Sequence, residues 1–272
     1  DARPDVRPEH TQGCCLQLLG FGDSELVPKT LPSNPTATSW EPNPLEKLAY
    51  LIHQPIEYPA AELRNSLLEE VVPTLRQNGA SQVGVSIEDE HVAEGKAVTI
   101  RRADPPVRAL ITFWMQNSDD RKPCEAILHQ HAARLDGYLV VESRPLVHQP
   151  PVGERAPGTN LVTTIKKRSD IGQAEFMDLW NEEHKQVALE TQSTFGYVRN
   201  AIVRALTPNA APWDGIVEES FPIEALTDPL VWYNTKDEKE YQARLARMIA
   251  SVTAFLDLEN MESTPTSEYW LG

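Results

Sequence analysis

Residues 175–190 read EFMDLWNEEHKQVALE. Phe176, Trp180 and His184 recur at every fourth position, and this spacing places the three side chains on one face of a predicted helix over 173–191. Burial beside two aromatic rings removes water from an imidazole and favours its neutral form, which leaves one nitrogen able to accept a proton. The helix is therefore predicted to point two aromatic rings and one base in the same direction.

The alternative for His184 is a packing role, because a single histidine on an apolar helical face is more often part of the core. The pattern F-x3-W-x3-H resembles the helix signature of the EthD family, and WDGIVEESF at 213–221 resembles the D-G-x-x-E segment of that family. The resemblance covers roughly 160–264. It implies a dimeric α+β-barrel (ferredoxin-like) fold, and it marks His184 and Trp180 as pocket residues.

The first part of the chain shows the alternation of buried strands and the spacing of amphipathic helices. Its predicted order is strand, helix, strand, strand, helix, strand, which is the ferredoxin-like β-α-β-β-α-β unit. The predicted ranges are 45–54, 59–77, 81–87, 107–115, 122–135 and 138–146.

The second part repeats this order with an offset of about 115 residues. Its predicted ranges are 161–167, 173–191, 196–205, 214–221, 237–255 and 258–264, with a short helix over 223–226. One ferredoxin-like sheet leaves an apolar face uncovered, and a second sheet can bury it. We therefore expect the α+β class, with two tandem ferredoxin-like units forming a dimeric α+β barrel within one chain.

This periodicity also predicts the domain organisation. Residues 1–44 are Pro-rich and are predicted to form an irregular N-terminal arm. The alternative is a lid over a pocket, with Trp40 inserted into that pocket. The first unit spans 45–148, the Pro/Gly-rich stretch 149–159 is a linker, and the second, EthD-like unit spans 160–272.

Bulk composition excludes several classes of function. Forty acidic against twenty-five basic residues give a net charge of −15, which disfavours nucleic acid as a partner. No apolar run approaches the roughly 18–20 residues that span a bilayer, so we expect no membrane partner. Three cysteines, Cys14, Cys15 and Cys124, fit a reducing cytoplasm. The sequence has no zinc, dinucleotide, P-loop, esterase or haem motif, so we expect no metal and no cofactor.

The candidate residues follow from the helix and from the strands beside it. His184, Tyr197 and Glu219 are the predicted catalytic groups, because imidazole, phenol and an inward carboxylate can move protons. Each also has a structural alternative in packing or at the solvated rim. The predicted substrate-binding residues are Trp180, Phe176, Arg199, Trp213 and Trp232.

The first unit has Leu67 and Val71 where the second has Trp180 and His184, so we expect one active pocket per chain. The resemblance implies cofactor-free lyases, dehydratases, isomerases and oxygenases that act on aromatic molecules. Three hypotheses follow. The first is a cofactor-independent lyase (a dehydratase, decarboxylase or carbon–carbon lyase) that acts on a small aromatic compound by histidine acid/base chemistry. The others are a cofactor-free monooxygenase on an aromatic substrate and a non-catalytic protein that binds a hydrophobic ligand. Association into a homodimer stays open.

Overall fold

The computed structural model describes residues 46–272 of the 272-residue chain. The predicted arm over 1–44, with Trp40, lies outside the described residues, as do Cys14 and Cys15. Cys124 is buried and reduced. Within residues 46–272, no helix combines the length and the apolar composition that a membrane crossing requires.

The first half of the described chain contains four strands and a helical layer. The elements are β1 (Glu46–His53), α1 (Ala60–Ser66), α2 (Val72–Gln77), β2 (Ser81–Ile87), β3 (Val107–Met115), α3 (Lys122–Gln130) and β4 (Arg134–Leu146). A π-helical turn, Leu67–Val71, joins α1 to α2, and Pro73 lies in the first turn of α2.

The second half has the same succession, with one additional short helix. The elements are β5 (Thr159–Ile165), α4 (Gln173–Asp178), α5 (Lys185–Thr191), β6 (Gly196–Ala205), β7 (Gly215–Phe221), α6 (Pro229–Trp232), α7 (Glu238–Phe255) and β8 (Glu262–Trp270). The additional helix is α6. A π-helical turn, Leu179–His184, again interrupts the first helix and separates α4 from α5.

The boundaries of three predicted elements differ most from the structure. The strand predicted over 138–146 begins at Arg134. The helix predicted over 122–135 ends at Gln130, because Arg134 pairs with His53 and begins strand β4. The last strand, predicted over 258–264, runs over Glu262–Trp270 instead. Residues 257–260 form a turn in which Asp257 accepts hydrogen bonds from the chain ahead of it, and the strand follows that turn.

The eight strands form one closed antiparallel barrel in the order β1-β3-β2-β8-β5-β7-β6-β4. Each half therefore contributes four neighbouring strands, ordered β4-β1-β3-β2 in the first half and β8-β5-β7-β6 in the second. The two halves meet where β2 pairs with β8 and where β4 pairs with β6. The predicted α+β class and the closed barrel are confirmed.

Helices cover the outer face of the barrel, and the two halves fill this layer differently. In the first half, Leu63, Leu67 and Val71 are fully buried against the sheet in one continuous core. In the second half, the aromatic rings of Phe176 and Trp180 occupy the equivalent layer. A cavity lies beside the Trp180 ring in this layer.

Candidate functional site

A cavity of about 510 Å³ lies between the outer face of the second half's sheet and its helices. Leu161, Tyr197 and Glu219 form its floor on three adjacent strands, since both Leu161 and Tyr197 pair with Glu219. Helix α7 forms the opposite wall, and residues 97–100 of the first half close one rim. Trp180 and His184, which the resemblance to the EthD family marked as pocket residues, both line this cavity.

Trp180 forms the back of the cavity and is only 1% exposed. Its ring lies on the sheet over Gly215, where a Cβ atom would come within 2.5 Å of the indole. Phe176 packs against the indole with ring centroids 5.5 Å apart. Glycine at position 215 thus allows the ring to lie flat on strand β7.

We expect Gly215→Ala to destabilise the protein by about 1–3 kcal/mol, because the added methyl group would come within 2.5 Å of the indole and force the ring out of its packed position. Urea unfolding followed by tryptophan fluorescence measures the change. Gly172→Ala is the matched control, since a Cβ at position 172 meets no atom within 4 Å. Equal stability of the two variants would contradict the proposed fit between Gly215 and Trp180.

His184 ends the π-helical turn and lines the cavity beside Phe255, with ring centroids 5.1 Å apart. Its Nδ1 lies 3.0 Å from Ser251 Oγ on α7. Because Ser251 is not part of the cavity wall, the Nε2 edge of the ring is the edge available to a ligand. Burial, reinforced by the charge of Arg199, lowers the pKa of His184 to about 4, so the imidazole is neutral at physiological pH.

Glu219 presents its carboxylate to the cavity from strand β7. Among the described residues it has no hydrogen-bond or ion-pair partner, and burial alone raises its pKa to about 7. Tyr197 is directly opposite it in the sheet, which places the two Cβ atoms about 5 Å apart. Burial, and then the nearby Glu219, raises the pKa of Tyr197, whose phenol therefore stays protonated.

Aromatic rings form much of the remaining wall. Trp232 stacks on Phe221, with centroids 4.0 Å apart and planes 20° from parallel. Tyr233 and Tyr241 pack against each other at 5.5 Å and also line the cavity. A flat aromatic ligand fits such a wall because its faces and edges pair with those of the protein rings.

Two further polar groups line the same cavity and did not emerge from the sequence. Gln192 Oε1 and Ser263 Oγ are buried, and neither has a hydrogen-bond partner among residues 46–272. Buried polar atoms are normally paired, so these two are positioned to bind a ligand. No motif surrounds either residue, and their proximity depends on the closure of the barrel.

Three predicted substrate-binding residues lie outside the cavity wall. Phe176 packs behind Trp180 and Phe255. Arg199 is also behind Trp180: its Nη1 donates to the Trp180 carbonyl at 3.3 Å and its Nε donates to Ser143 Oγ at 3.1 Å. Trp213 packs with the apolar core inside the barrel. The structure therefore brings together His184, Tyr197, Glu219, Trp180 and Trp232.

Two acidic residues of the D-G-x-x-E segment accept hydrogen bonds that connect strand β7 to its neighbours. Asp214 accepts the backbone N–H of Lys167 at 2.8 Å and ties β7 to the end of β5. The glutamate at the motif spacing is Glu218, which points into the barrel, where Asn200 Nδ2 donates to it at 3.0 Å. Glu219, one residue later, points outward into the cavity.

Comparison with known proteins relates this site to one family. The EthD domain model matches residues 168–258. No curated protein sequence matches the chain. A crystal structure of an anthrone oxidase-like protein is similar at 11% identity and a TM-score of 0.49, covering 84% of this chain and 93% of that one.

Two further solved structures are similar at the same level. A putative monooxygenase from Lactobacillus acidophilus NCFM has 10% identity and a TM-score of 0.44, over 84% of this chain and 97% of that one. A mutant chlorite dismutase from Candidatus Nitrospira defluvii has 12% identity and a TM-score of 0.41, over 82% and 91%. These likenesses carry no information about the reaction. The residues that the EthD domain model matches, 168–258, include Trp180, His184 and Glu219.

Proposed function

We propose that the protein is a cofactor-independent lyase that removes water from a small, neutral aromatic or aromatising compound, with the cavity beside His184 as its active site. The observation that carries the proposal is that His184 and Glu219 line the same cavity. The same apolar cavity lowers the pKa of the imidazole to about 4 and raises that of the carboxyl group to about 7. Environments that push two pKa values apart are typical of an acid and a base that work together.

Between pH 4 and 7 the pair consists of a neutral imidazole and a protonated carboxyl group. In the proposed step, His184 Nε2 takes a proton from the carbon next to a substrate carbonyl. The electron pair left on that carbon forms the new double bond, the neighbouring C–O bond breaks, and Glu219 gives its proton to the departing hydroxyl, which leaves as water. Proton return through solvent then resets both groups. Each positioned group contributes about 10²–10⁴-fold.

The charge of the wall supports a neutral substrate. The described residues that line the cavity include no lysine and no arginine, and the guanidinium of Arg199 lies behind the indole of Trp180. A substrate carboxylate would be buried there without a partner, at a cost of several kcal/mol. Dehydration therefore fits the cavity better than decarboxylation of an acid.

The direct test uses a matched set of small bicyclic ketones. 3-Hydroxy-1-tetralone loses water to give fluorescent 1-naphthol, and its ring-carboxylated analogue carries the same reacting atoms with one added charge. We expect naphthol to form from the neutral compound without oxygen uptake, and binding of the carboxylated analogue to be at least about tenfold weaker. Tight binding of neutral compounds with no turnover across the set would favour a non-catalytic carrier of hydrophobic ligands.

A cofactor-free monooxygenase is the second candidate, and the unpaired Glu219 favours it specifically. Above pH 7 this carboxylate is ionised and can take the proton of a phenol, which gives an electron-rich phenolate. An oxygen electrode separates the two reactions. Oxygen consumed in proportion to product identifies the monooxygenase, and product formed at equal rate in the absence of oxygen identifies the lyase.

We further propose that the two halves are tandem ferredoxin-like units, of which only the second keeps a pocket. Matching strand orders and a π-helical turn at the same place in each first helix support this relationship. In the first half, Leu67 and Val71 fill the layer that Trp180 and His184 line in the second. One half then carries the chemistry, and the other closes the barrel and supplies residues 97–100 to the cavity rim.

A further inference from the structure

A second pocket, the barrel-mouth pocket, lies inside the barrel at one end and has a volume of about 330 Å³. It is on the opposite side of the sheet from the cavity beside His184, because Glu218 points into it while its neighbour Glu219 points outward. A closed barrel of this size normally fills its interior with apolar side chains. Here the other part of the interior is apolar, whereas this end is polar.

Charged side chains form a network on one side of the barrel-mouth pocket. Lys47 pairs with Glu142 and donates a hydrogen bond to Asn200 Oδ1 at 2.8 Å. Glu218 lies 3.9 Å from the same ammonium group. Arg144 Nε donates to the other oxygen of Glu142 at 2.6 Å. Two cations and two carboxylates therefore balance each other.

Glu268, on strand β8, is the third carboxyl group of the barrel-mouth pocket and has no hydrogen-bond or ion-pair partner among residues 46–272. Burial and then the charge of Glu218 raise the pKa of Glu268 to about 7. The positive charges of Arg144 and Lys47 lower the same pKa and offset part of this rise. Glu142 and His148 are the remaining titratable groups of the wall. The pocket thus holds three carboxyl groups against two cations, and a proton on Glu268 neutralises the excess near pH 7.

Asn160 supplies an independent sign of a ligand. This residue lines the barrel-mouth pocket and is only 3% exposed, yet its Oδ1 has no hydrogen-bond donor among the described residues. A buried acceptor without a donor costs about 1–3 kcal/mol. The pocket therefore has one positive charge fewer than its carboxyl groups, and the Asn160 oxygen lacks an N–H donor.

We propose that the barrel-mouth pocket binds a small organic cation, with a primary ammonium or guanidinium group held by Glu268 and Asn160. Such a group brings the missing charge and several N–H donors together. Trp270, which lines the same pocket, adds an aromatic surface that favours a cation. No set of three metal-binding side chains occurs in the described part of the chain, so the organic cation fits better than a metal ion.

Isothermal titration calorimetry with n-butylamine and n-butylguanidine tests the proposal, with 1-butanol as the neutral isostere. We expect both cations to bind at least about tenfold more tightly than the alcohol. Because the cation favours ionised Glu268, binding at pH 7 should release a fraction of a proton. The measured heat should therefore depend on the ionisation enthalpy of the buffer.

Three variants make the test specific. Glu268→Gln should bind the cations at least about tenfold more weakly and abolish the proton release, with its fold checked by circular dichroism. Glu154→Gln, an exposed matched change, and Glu219→Gln, in the other cavity, should both bind like the parent. Any of three results would overturn the proposal. The first is that 1-butanol binds as tightly as the cations. The others are that folded Glu268→Gln binds the cations as tightly as the parent, or that Glu219→Gln no longer binds them.

Discussion

Glu219→Gln is expected to lower kcat/KM for the dehydration by about 10²–10³-fold at pH 6, because the amide keeps the shape of the carboxyl group but cannot donate its proton. In the parent protein, kcat/KM should be highest between pH 4 and 7, where His184 is neutral and Glu219 is protonated. The decline above pH 7 should disappear in the variant. Initial rates from pH 4 to 9 measure both effects.

The same substitution has a stability effect of predictable sign. The Glu219 carboxyl group has an ordinary pKa of 4.5, which burial raises to about 7, so the folded protein keeps this proton after the unfolded chain has lost it. Stability is therefore full below pH 4.5 and decreases as the pH rises through 7. Glu219→Gln should be more stable than the parent by about 1–3 kcal/mol at pH 8 and similar at pH 4.

Glu224→Gln is the matched control, since this carboxylate is exposed in the turn after β7. It should change neither the rate profile nor the dependence of stability on pH. Thermal unfolding at pH 4, 6 and 8 compares the three proteins. If kcat/KM of Glu219→Gln still declines above pH 7, the decline belongs to another titratable group. Glu219 would then have no part in the proposed proton transfer.

His184→Asn is expected to reduce turnover by about 10³-fold or more while the protein remains folded. The asparagine amide nitrogen can replace Nδ1 in the contact with Ser251, which the imidazole makes at 3.0 Å, but asparagine has no counterpart of Nε2. The loss of stability should therefore stay near or below 1 kcal/mol. Single-turnover rates and urea unfolding separate the two effects.

A companion variant makes this result specific for the missing base. His184→Ala leaves space beside Phe255, and added imidazole should restore part of its turnover, which a purely structural role does not predict. His129→Asn, at an exposed position on α3, should behave like the parent. Full turnover by either position 184 variant would eliminate His184 from the mechanism and favour the packing alternative.

Local sequence patterns were sufficient for the elements that their own side chains define. Period-four spacing predicted the helix that carries Trp180 and His184, and alternation predicted that Glu219 points to the same side of β7 as Val217. The pattern also placed Phe176 on the packed side of the helix, where its ring contacts Trp180 and Phe255. It could not show that Phe176 would stay outside the cavity wall that Trp180 and Phe255 form.

The remaining errors concern contacts between distant segments. Alternation correctly placed Arg199 on the same side of β6 as Tyr197, but it could not show that the indole of Trp180 would cover the guanidinium. Gln192 and Ser263 meet in the cavity only because β8 pairs with β5. Their contribution depends on tertiary closure, which carries no local periodicity.

The closed order of the strands has a consequence for association. Every described strand has a neighbour on both sides, so the sheet offers no free row of backbone N–H and C=O groups to another chain. A peptide cannot extend this sheet by adding a strand. Any partner that contacts residues 46–272 must bind through helices, loops or the open ends of the barrel, where side chains rather than backbone decide which molecules are accepted.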